Sequence, residues 1–246
     1  MRLILLRHGE SEWNLENRFT GWTDVNLTPL GEREAELAGK ALSKNNFKII
    51  TVYTSLLKRA IDTAKIVSNF IDFPIHKIIY EWRLNERHYG ALQGLNKSET
   101  AARYGEDQVK LWRRSYDISP PPLSKNDDRH LKFNQKFNKI CENLPNGESL
   151  KNVLGRLNPF WIEYLNRIKK NPGDHLIVAH SNSLRAIVKL LDQLSEKEII
   201  SVNIPTGIPL IYTFDNSFKI IDKEYLIDKK KLIEKQKMVE NQGKAQ

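Results

Sequence analysis

A chain of 246 residues with 40% hydrophobic content has room for one large domain or two small ones and for an ordinary core. No apolar run approaches the length of a membrane span, and the lone cysteine, Cys141, excludes an internal disulfide, so a reducing, cytoplasmic location is expected. The formal charge of +9 is spread over lysines mixed with Asp and Glu, with no basic face interleaved with aromatics, so neither nucleic acid nor a membrane is the expected partner.

The chain starts straight into a strand pattern, without a signal-peptide pattern. Leu3-Ile4-Leu5-Leu6 is a run of the kind found in strands buried on both faces, and it stops at Arg7-His8-Gly9-Glu10. Thr28-Pro29 reads as a helix N-cap followed by proline at the first helical position, with helix to about Leu42. Ile49 to Tyr53 reads as a strand, after which Thr54-Ser55 is expected to cap a helix carrying Lys58, Arg59, Ile61, Ala64 and Val67. The stretch from about 80 to 150 differs: it is polar, carries Pro120-Pro121-Pro122, shows little strand signal, and is expected to be an insert or lid over a site. Helical periodicity resumes at Trp161 to Ile168. Leu176-Ile177-Val178-Ala179 is a further strand, ending in His180-Ser181-Asn182-Ser183, and Leu184, Ile187, Val188 and Leu191 follow at helical spacing. Asn203 to Gly207 reads as a turn and Leu210 to Phe214 as a strand, while about 229–246 is expected to be a solvated helix fraying into a mobile tail. Alternating strands and helices imply one α/β domain over 1–246, built as a three-layer sandwich with a mostly parallel central sheet flanked by helices.

The chemistry gathers at strand ends, where open α/β sheets bind ligands. An Arg guanidinium fits phosphate oxygens in a bidentate fashion, a His is nucleophilic near neutral pH, and a Gly admits a ligand close to the backbone. Each of these features alone is commonplace; two strand ends that each deliver a His are not. If those strands are neighbours, His8 and His180 face one crevice, and Arg59 near the start of its helix adds an anion site. No Cys/His ligand spacing points to a metal.

These residues carry a resemblance. Arg7-His8-Gly9-Glu10 is similar to the signature of the histidine phosphatase superfamily. Glu10 to Asn14, Phe19 to Val25, Tyr53 to Ala60, Trp82 to Lys97, Trp112 to Arg114, His180 to Arg185 and Asn203 to Pro209 resemble the blocks of its 2,3-bisphosphoglycerate-dependent phosphoglycerate mutase family. The block from Leu84 to Lys97 is the most specific, and the likeness runs almost end to end. It implies an isomerase of glycolysis and gluconeogenesis that interconverts 3-phosphoglycerate and 2-phosphoglycerate, primed by 2,3-bisphosphoglycerate, without a metal, commonly as a homodimer. By the same resemblance His8 is the phosphoryl carrier, His180, Arg7 and Arg59 stabilise the group in transit, and Glu86 is the general acid/base. Ser11, Asn14, Thr20, Gly21, Tyr89, Lys97, Arg113, Arg114, Ser181 and Asn182 match positions that meet substrate.

Two departures stand out. Ser181 occupies a position where the family usually has Gly, which either crowds a backbone N–H or adds a hydrogen bond. Leu131 to Gln135 replaces a Pro-Gly-His type segment after Asp127-Asp128-Arg129. The rival reading on the same scaffold is a phosphatase, in which water accepts the phosphoryl group.

Overall fold

The computed structural model describes residues 1–141 and 143–241. Its centre is a six-stranded sheet in the order β3-β2-β4-β1-β5-β6, formed by β1 (Arg2–Arg7), β2 (Ile49–Thr54), β3 (Ile79–Tyr80), β4 (Asp174–Ala179), β5 (Leu210–Phe214) and β6 (Ile220–Tyr225). β1, β2, β3 and β4 run parallel, and β5 and β6 add an antiparallel edge. The mostly parallel sheet expected from the sequence is present; the β6 edge was not anticipated, because Ile220 to Tyr225 is largely polar and exposed.

Successive side chains of a strand point to opposite faces, and both faces of this sheet are covered. Ile4 and Leu6 pack with Ala35, Ala38 and Leu42 of α2 (Pro29–Lys44) and with Ala64 and Val67 of α3 (Lys58–Phe70). Leu3 and Leu5 face the other way, onto Leu157 and Tyr164 of α6 (Leu150–Lys170) and Leu184 and Ile187 of α7 (Ser181–Leu191). Thr28 caps α2 through its hydroxyl on the Gly31 N–H at 3.0 Å, with Pro29 at the first helical position. Ser149 caps α6 in a reciprocal pair with Asn152.

The site follows from strand order. β1 pairs with β4 in the register Arg7↔Ala179, so both strands end level and release His8 and His180 side by side. The chain leaves β1 towards α2 on one face and leaves β4 into α7 on the other. Such a divergence opens a crevice at the carboxyl edge of the sheet.

Between β3 and α6 lie short 3₁₀ turns, α4 (Lys97–Tyr104) and α5 (Glu106–Arg114). This region packs through two small clusters that it shares with Phe19, Trp22 and Leu57. One holds Phe19, Leu92, Ala101 and Val109; the other holds Trp22, Leu57, Leu131 and Phe137. The departure at Leu131 to Gln135 is therefore a packing element, because Leu131 and Phe137 fill the space beside Trp22. A short helix α1 (Glu12–Leu15) follows the His8 loop, α8 (Glu198–Ser201) precedes β5, and α9 (Lys229–Asn241) ends the described chain. The tail expected beyond α9, residues 242–246, lies outside the described residues.

Two local expectations need correction. The α3 N-cap is Leu57, without a side-chain cap bond, and not Thr54-Ser55. The Thr54 hydroxyl instead donates to the Val178 carbonyl across the sheet at 2.9 Å. Gly9 is small for a reason other than ligand approach: a Cβ there would sit 2.1 Å from the Gly31 carbonyl oxygen, and its N–H already donates to the Thr63 hydroxyl at 3.1 Å. The strand end and the start of α2 thus touch backbone to backbone. Gly9→Ala is expected to cost about 3 kcal/mol or more, since neither backbone can yield locally. Equilibrium urea unfolding measures this, and a loss below about 1 kcal/mol would show that the contact relaxes freely.

Candidate active site

Two imidazoles occupy the crevice. His8 is 2% exposed and His180 fully buried, with ring centroids 5.0 Å apart. His8 Nδ1 lies 2.7 Å from the Gly9 carbonyl oxygen, which accepts and therefore requires the proton on Nδ1. Nε2 is left with its lone pair, and Arg59 Nε donates to it at 3.3 Å. A bare ring nitrogen at the mouth of a cationic cleft is the attacking atom that phosphoryl capture needs. Burial, then the charges of Arg59 and Arg7, hold His8 well below the usual histidine range, so it stays neutral. His180 is depressed in the same way, by burial first and then by Arg59 and His8.

The guanidiniums are fixed by backbone carbonyls. Arg59, in the first turn of α3, donates to Thr23 O at 3.0 Å and Gly21 O at 2.9 Å. Arg7 donates to Ile204 O at 2.9 Å, and its buried Nε has no partner in the protein. Burial lowers Arg59 to about 10, which leaves it charged near neutrality. Gly21, at φ +56, sits where a Cβ would strike the Gln93 side chain, so the Arg59 acceptor requires glycine on both counts.

Glu86 is 7% exposed, and its Oε1 accepts from the Arg87 N–H at 2.7 Å and the Asn182 N–H at 3.2 Å. Among the described residues Glu86 makes no ion pair with the neighbouring Arg83 or Arg87 side chains; Arg83 binds Glu81 instead. The Glu86 carbonyl is clamped by Trp22 Nε1 and by Arg156 Nη2, the latter at 3.0 Å. Arg156 also donates to Glu148, Arg83 O and Asn85 O, so one buried ion pair holds the whole turn.

The cleft comprises about 590 Å³ of empty space, part of it open to solvent. Of the residues named from the sequence, Arg7, His8, Arg59 and Glu86 line it, as do Asn14, Thr20, Gly21, Tyr89, Lys97, Arg113, Arg114, Ser181 and Asn182. Ser11 does not: it is buried as the N-cap of α1, and its hydroxyl donates to Asn14 Oδ1 at 3.0 Å, so it steadies Asn14. The His180 ring is fully buried against that of His8 at the same crevice, 5.0 Å between centroids. Three wall residues were not singled out from the sequence: Arg18, Arg185 and Val239. Arg185 is buried one turn into α7, donating to Asn182 Oδ1 at 2.9 Å and Ile199 O at 2.7 Å; its place one turn after Ser181 was the available signal. Val239 belongs to α9, which reaches the cleft through Arg114 Nη2 on Val239 O at 3.3 Å and through Lys235 on Glu34.

Burial and mutual repulsion lower the pKa values of these cations. Burial, then Arg113 and Arg7, hold Lys97 well below the usual lysine range. Arg113 falls to about 10 and Arg185 to about 9, each by burial and then by Arg114. Burial raises the Tyr89 phenol, but Arg87 and Arg113 together outweigh that, and its net value is lowered. Among the described residues no group of His, Cys, Asp and Glu is arranged to hold a metal. The donor set suits a ligand with several negative charges.

Comparisons with known proteins agree with this geometry. Residues 3–140 match the histidine phosphatase superfamily (branch 1), to which the chain belongs. A mycobacterial glucosyl-3-phosphoglycerate phosphatase shares the fold at a TM-score of 0.69 and 22% identity, covering 92% of this chain and 98% of that one. A putative alpha-ribazole-5'-P phosphatase from Escherichia coli does so at 0.65 and 18%, covering 92% and 94%. Over nearly the full length the likeness becomes specific. The chain is 50% identical over 245 residues to the 2,3-bisphosphoglycerate-dependent phosphoglycerate mutase of Lachnoclostridium phytofermentans, covering 99% of this chain and 98% of the relative. It is 51% identical to that of Treponema denticola, covering 99% of each. Its family within the superfamily is therefore the 2,3-bisphosphoglycerate-dependent phosphoglycerate mutases.

Buried neutral histidines make stability depend on pH. His8 and His180 are held well below 6.5, and burial, then His130 and Arg156, take His88 down to about 3. Below pH 6.5 the unfolded chain binds protons that the folded chain refuses. Their contribution is complete above pH 6.5 and declines as pH falls towards 3, by about 1.4 kcal/mol per unit for each histidine. Urea titrations from pH 7 to 4 check this; stability that is flat across that range would contradict the burial of neutral rings.

Proposed function

We propose that this site carries out the phosphoglycerate mutase reaction, the interconversion of 3-phosphoglycerate and 2-phosphoglycerate, with His8 as phosphoryl carrier. The observation that carries the reading is the bare His8 Nε2, fixed by Gly9 O and Arg59 beside His180, in a cleft whose carboxylate is Glu86. The cleft also presents seven Lys and Arg side chains, which suits a ligand bearing two phosphates and a carboxylate. Arg7, Arg59 and His180 would hold the phosphoryl group in transit, while Lys97, Arg113 and Arg114 take the rest of the anion. When bound, 2,3-bisphosphoglycerate supplies the phosphoryl group that loads His8.

In the reading proposed here, His8 Nε2 forms a P–N bond as a P–O bond of the donor breaks, and the reverse step returns the group to the other hydroxyl. Glu86 takes the proton from that hydroxyl as it attacks, and gives a proton to the alkoxide that leaves. Its hydrogen bonds to the Arg87 and Asn182 N–H groups fix the carboxylate for this exchange. Arg7 and Arg59 balance charge on the equatorial oxygens, and little else is asked of the protein. A pure phosphatase needs fewer cations around the acid portion of the substrate, and this favours the mutase.

The region from about 80 to 150 belongs to this reading as a lid on a single α/β unit: Glu86, Tyr89, Lys97, Arg113 and Arg114 all come from it. Of the mobile tail expected over 229–246, only 229–241 are described, and mobility of that segment is part of the same proposal, supported by the sparse side-chain ties of α9 to the body. A cytoplasmic setting fits the reaction class and the lone cysteine. A homodimer is supported by the β3 edge, where Ile79 and Tyr80 are exposed at an open strand. Sedimentation velocity at micromolar concentration is expected to give a dimer that Tyr80→Lys weakens; a monomer throughout would remove this element.

A coupled assay with 3-phosphoglycerate and catalytic 2,3-bisphosphoglycerate is expected to yield 2-phosphoglycerate with little free phosphate. Release of phosphate without 2-phosphoglycerate would favour the phosphatase. His8→Ala is expected to abolish both turnover and acid-labile labelling, and retained labelling would overturn the assignment. Glu86→Gln is expected to lower kcat by about 10²–10⁴-fold with KM little changed; an unaltered kcat would take Glu86 out of the reaction.

A further inference from the structure

Ser55 follows the last residue of β2, and its hydroxyl oxygen is 2.7 Å from His180 Nε2, both groups fully buried. The same oxygen accepts from the Leu57 N–H at 3.1 Å. A hydroxyl has one proton and two lone pairs. Leu57 occupies one lone pair, and the only acceptor within reach of the proton among the described residues is His180 Nε2. In the neutral ring the proton of His180 is therefore on Nδ1. That atom is buried and has no hydrogen-bond partner in the protein. A buried donor without an acceptor is costly unless something else supplies one.

We propose that Ser55 is a positioning residue: its hydroxyl fixes the tautomer of His180, so that Nδ1–H is presented as a donor to the phosphoryl oxygen carried between His8 and substrate. The inference rests on the reading of His180 as a phosphate contact. The two rings are then held in the same Nδ1–H form for opposite purposes. His8 turns its bare nitrogen to the phosphorus and uses its N–H on Gly9 O. His180 uses its bare nitrogen on Ser55 and keeps its N–H for the ligand. The sheet supports the arrangement, since the register Thr54↔Val178 between β2 and β4 brings Ser55 alongside the residues that end β4. The Ser183 hydroxyl accepts from the His180 N–H at 3.1 Å, so the backbone of the ring is anchored independently of Ser55.

Nitrogen-15 NMR of the full-length free enzyme labelled at histidine tests this. His180 is expected to show a protonated Nδ1 and a bare Nε2, and inorganic phosphate is expected to shift Nδ1–H downfield. In Ser55→Ala nothing holds the proton on Nδ1, and both tautomers are expected. In that variant kcat and the single-turnover rate of His8 phosphorylation are expected to fall about 10–100-fold with KM little changed. Ser55→Thr, which keeps the hydroxyl, is expected to recover most of the loss. A wild-type enzyme with the proton on Nε2, or a Ser55→Ala enzyme whose His180 remains wholly Nδ1–H, overturns the proposal. A wild-type proton on Nε2 overturns the proposal whether or not Ser55→Ala folds. This test is also separate from the mutase reading, because the tautomer is read without turnover.

Discussion

Everything in the cleft depends on the parallel pairing of β1 with β4 in one register. Arg7 opposite Ala179 makes the two strands end level, so the next residue of each, His8 and His180, emerges at the same height. A slip of one residue would turn Leu3 and Leu5 from the α6–α7 side to the α2–α3 side and aim the histidines apart. The hydrophobic alternation therefore protects the chemistry: Ile4 and Leu6 can be buried only against α2 and α3, and Leu3 and Leu5 only against α6 and α7. Gly9 and Gly31 complete the constraint by letting the turn after β1 close onto the first turn of α2.

Burial makes the same residues reactive and expensive. Removing His8 from water keeps it neutral, while the nearby guanidiniums reinforce this by disfavouring a second positive charge. The guanidiniums remain charged because backbone carbonyls of Gly21, Thr23 and Ile204 accept from them. Among the described residues Glu86 is the carboxylate lining the cleft, beside seven cationic side chains, of which Arg18 pairs with Glu16. In the reading proposed above, a bound polyanion adds negative charge to this wall.

The parts of this arrangement that were legible in the sequence are those governed by periodicity. Strand runs that stop at His8 and His180, the Thr28-Pro29 cap and the α7 repeat all have local signatures, and the structure places them as read. Long blocks between 82 and 97 marked Glu86, Tyr89 and Lys97 by resemblance, which no periodicity would have done. What was missed depends on contacts distant in sequence. Ser55 read as a cap because it precedes a helix, yet its decisive partner is 125 residues away. Gly9 read as a ligand approach because it follows His8, yet it faces the backbone of α2. Arg185 lay within a recognised block but showed only helical spacing, and Val239 joins the cleft through α9 from a stretch that read as a solvated charged helix.

The distribution of these cations bears on which chemistry the scaffold performs. A hydrolase has to stabilise one phosphoryl group and let water reach it, for which Arg7, Arg59 and the two histidines suffice. A mutase must also retain a doubly phosphorylated acid while its two ends exchange places. Retention without a single rigid pose calls for positive groups on several sides, drawn from independent elements. Here they come from β1, α3, α4, α5 and α7, with Arg18 added from the loop after α1. The cluster of Phe19, Leu92, Ala101 and Val109 under α4 and α5 adjoins Gly21, whose carbonyl accepts from Arg59, so the cations of α4 and α5 and the Arg59 guanidinium are supported by neighbouring stretches of one chain.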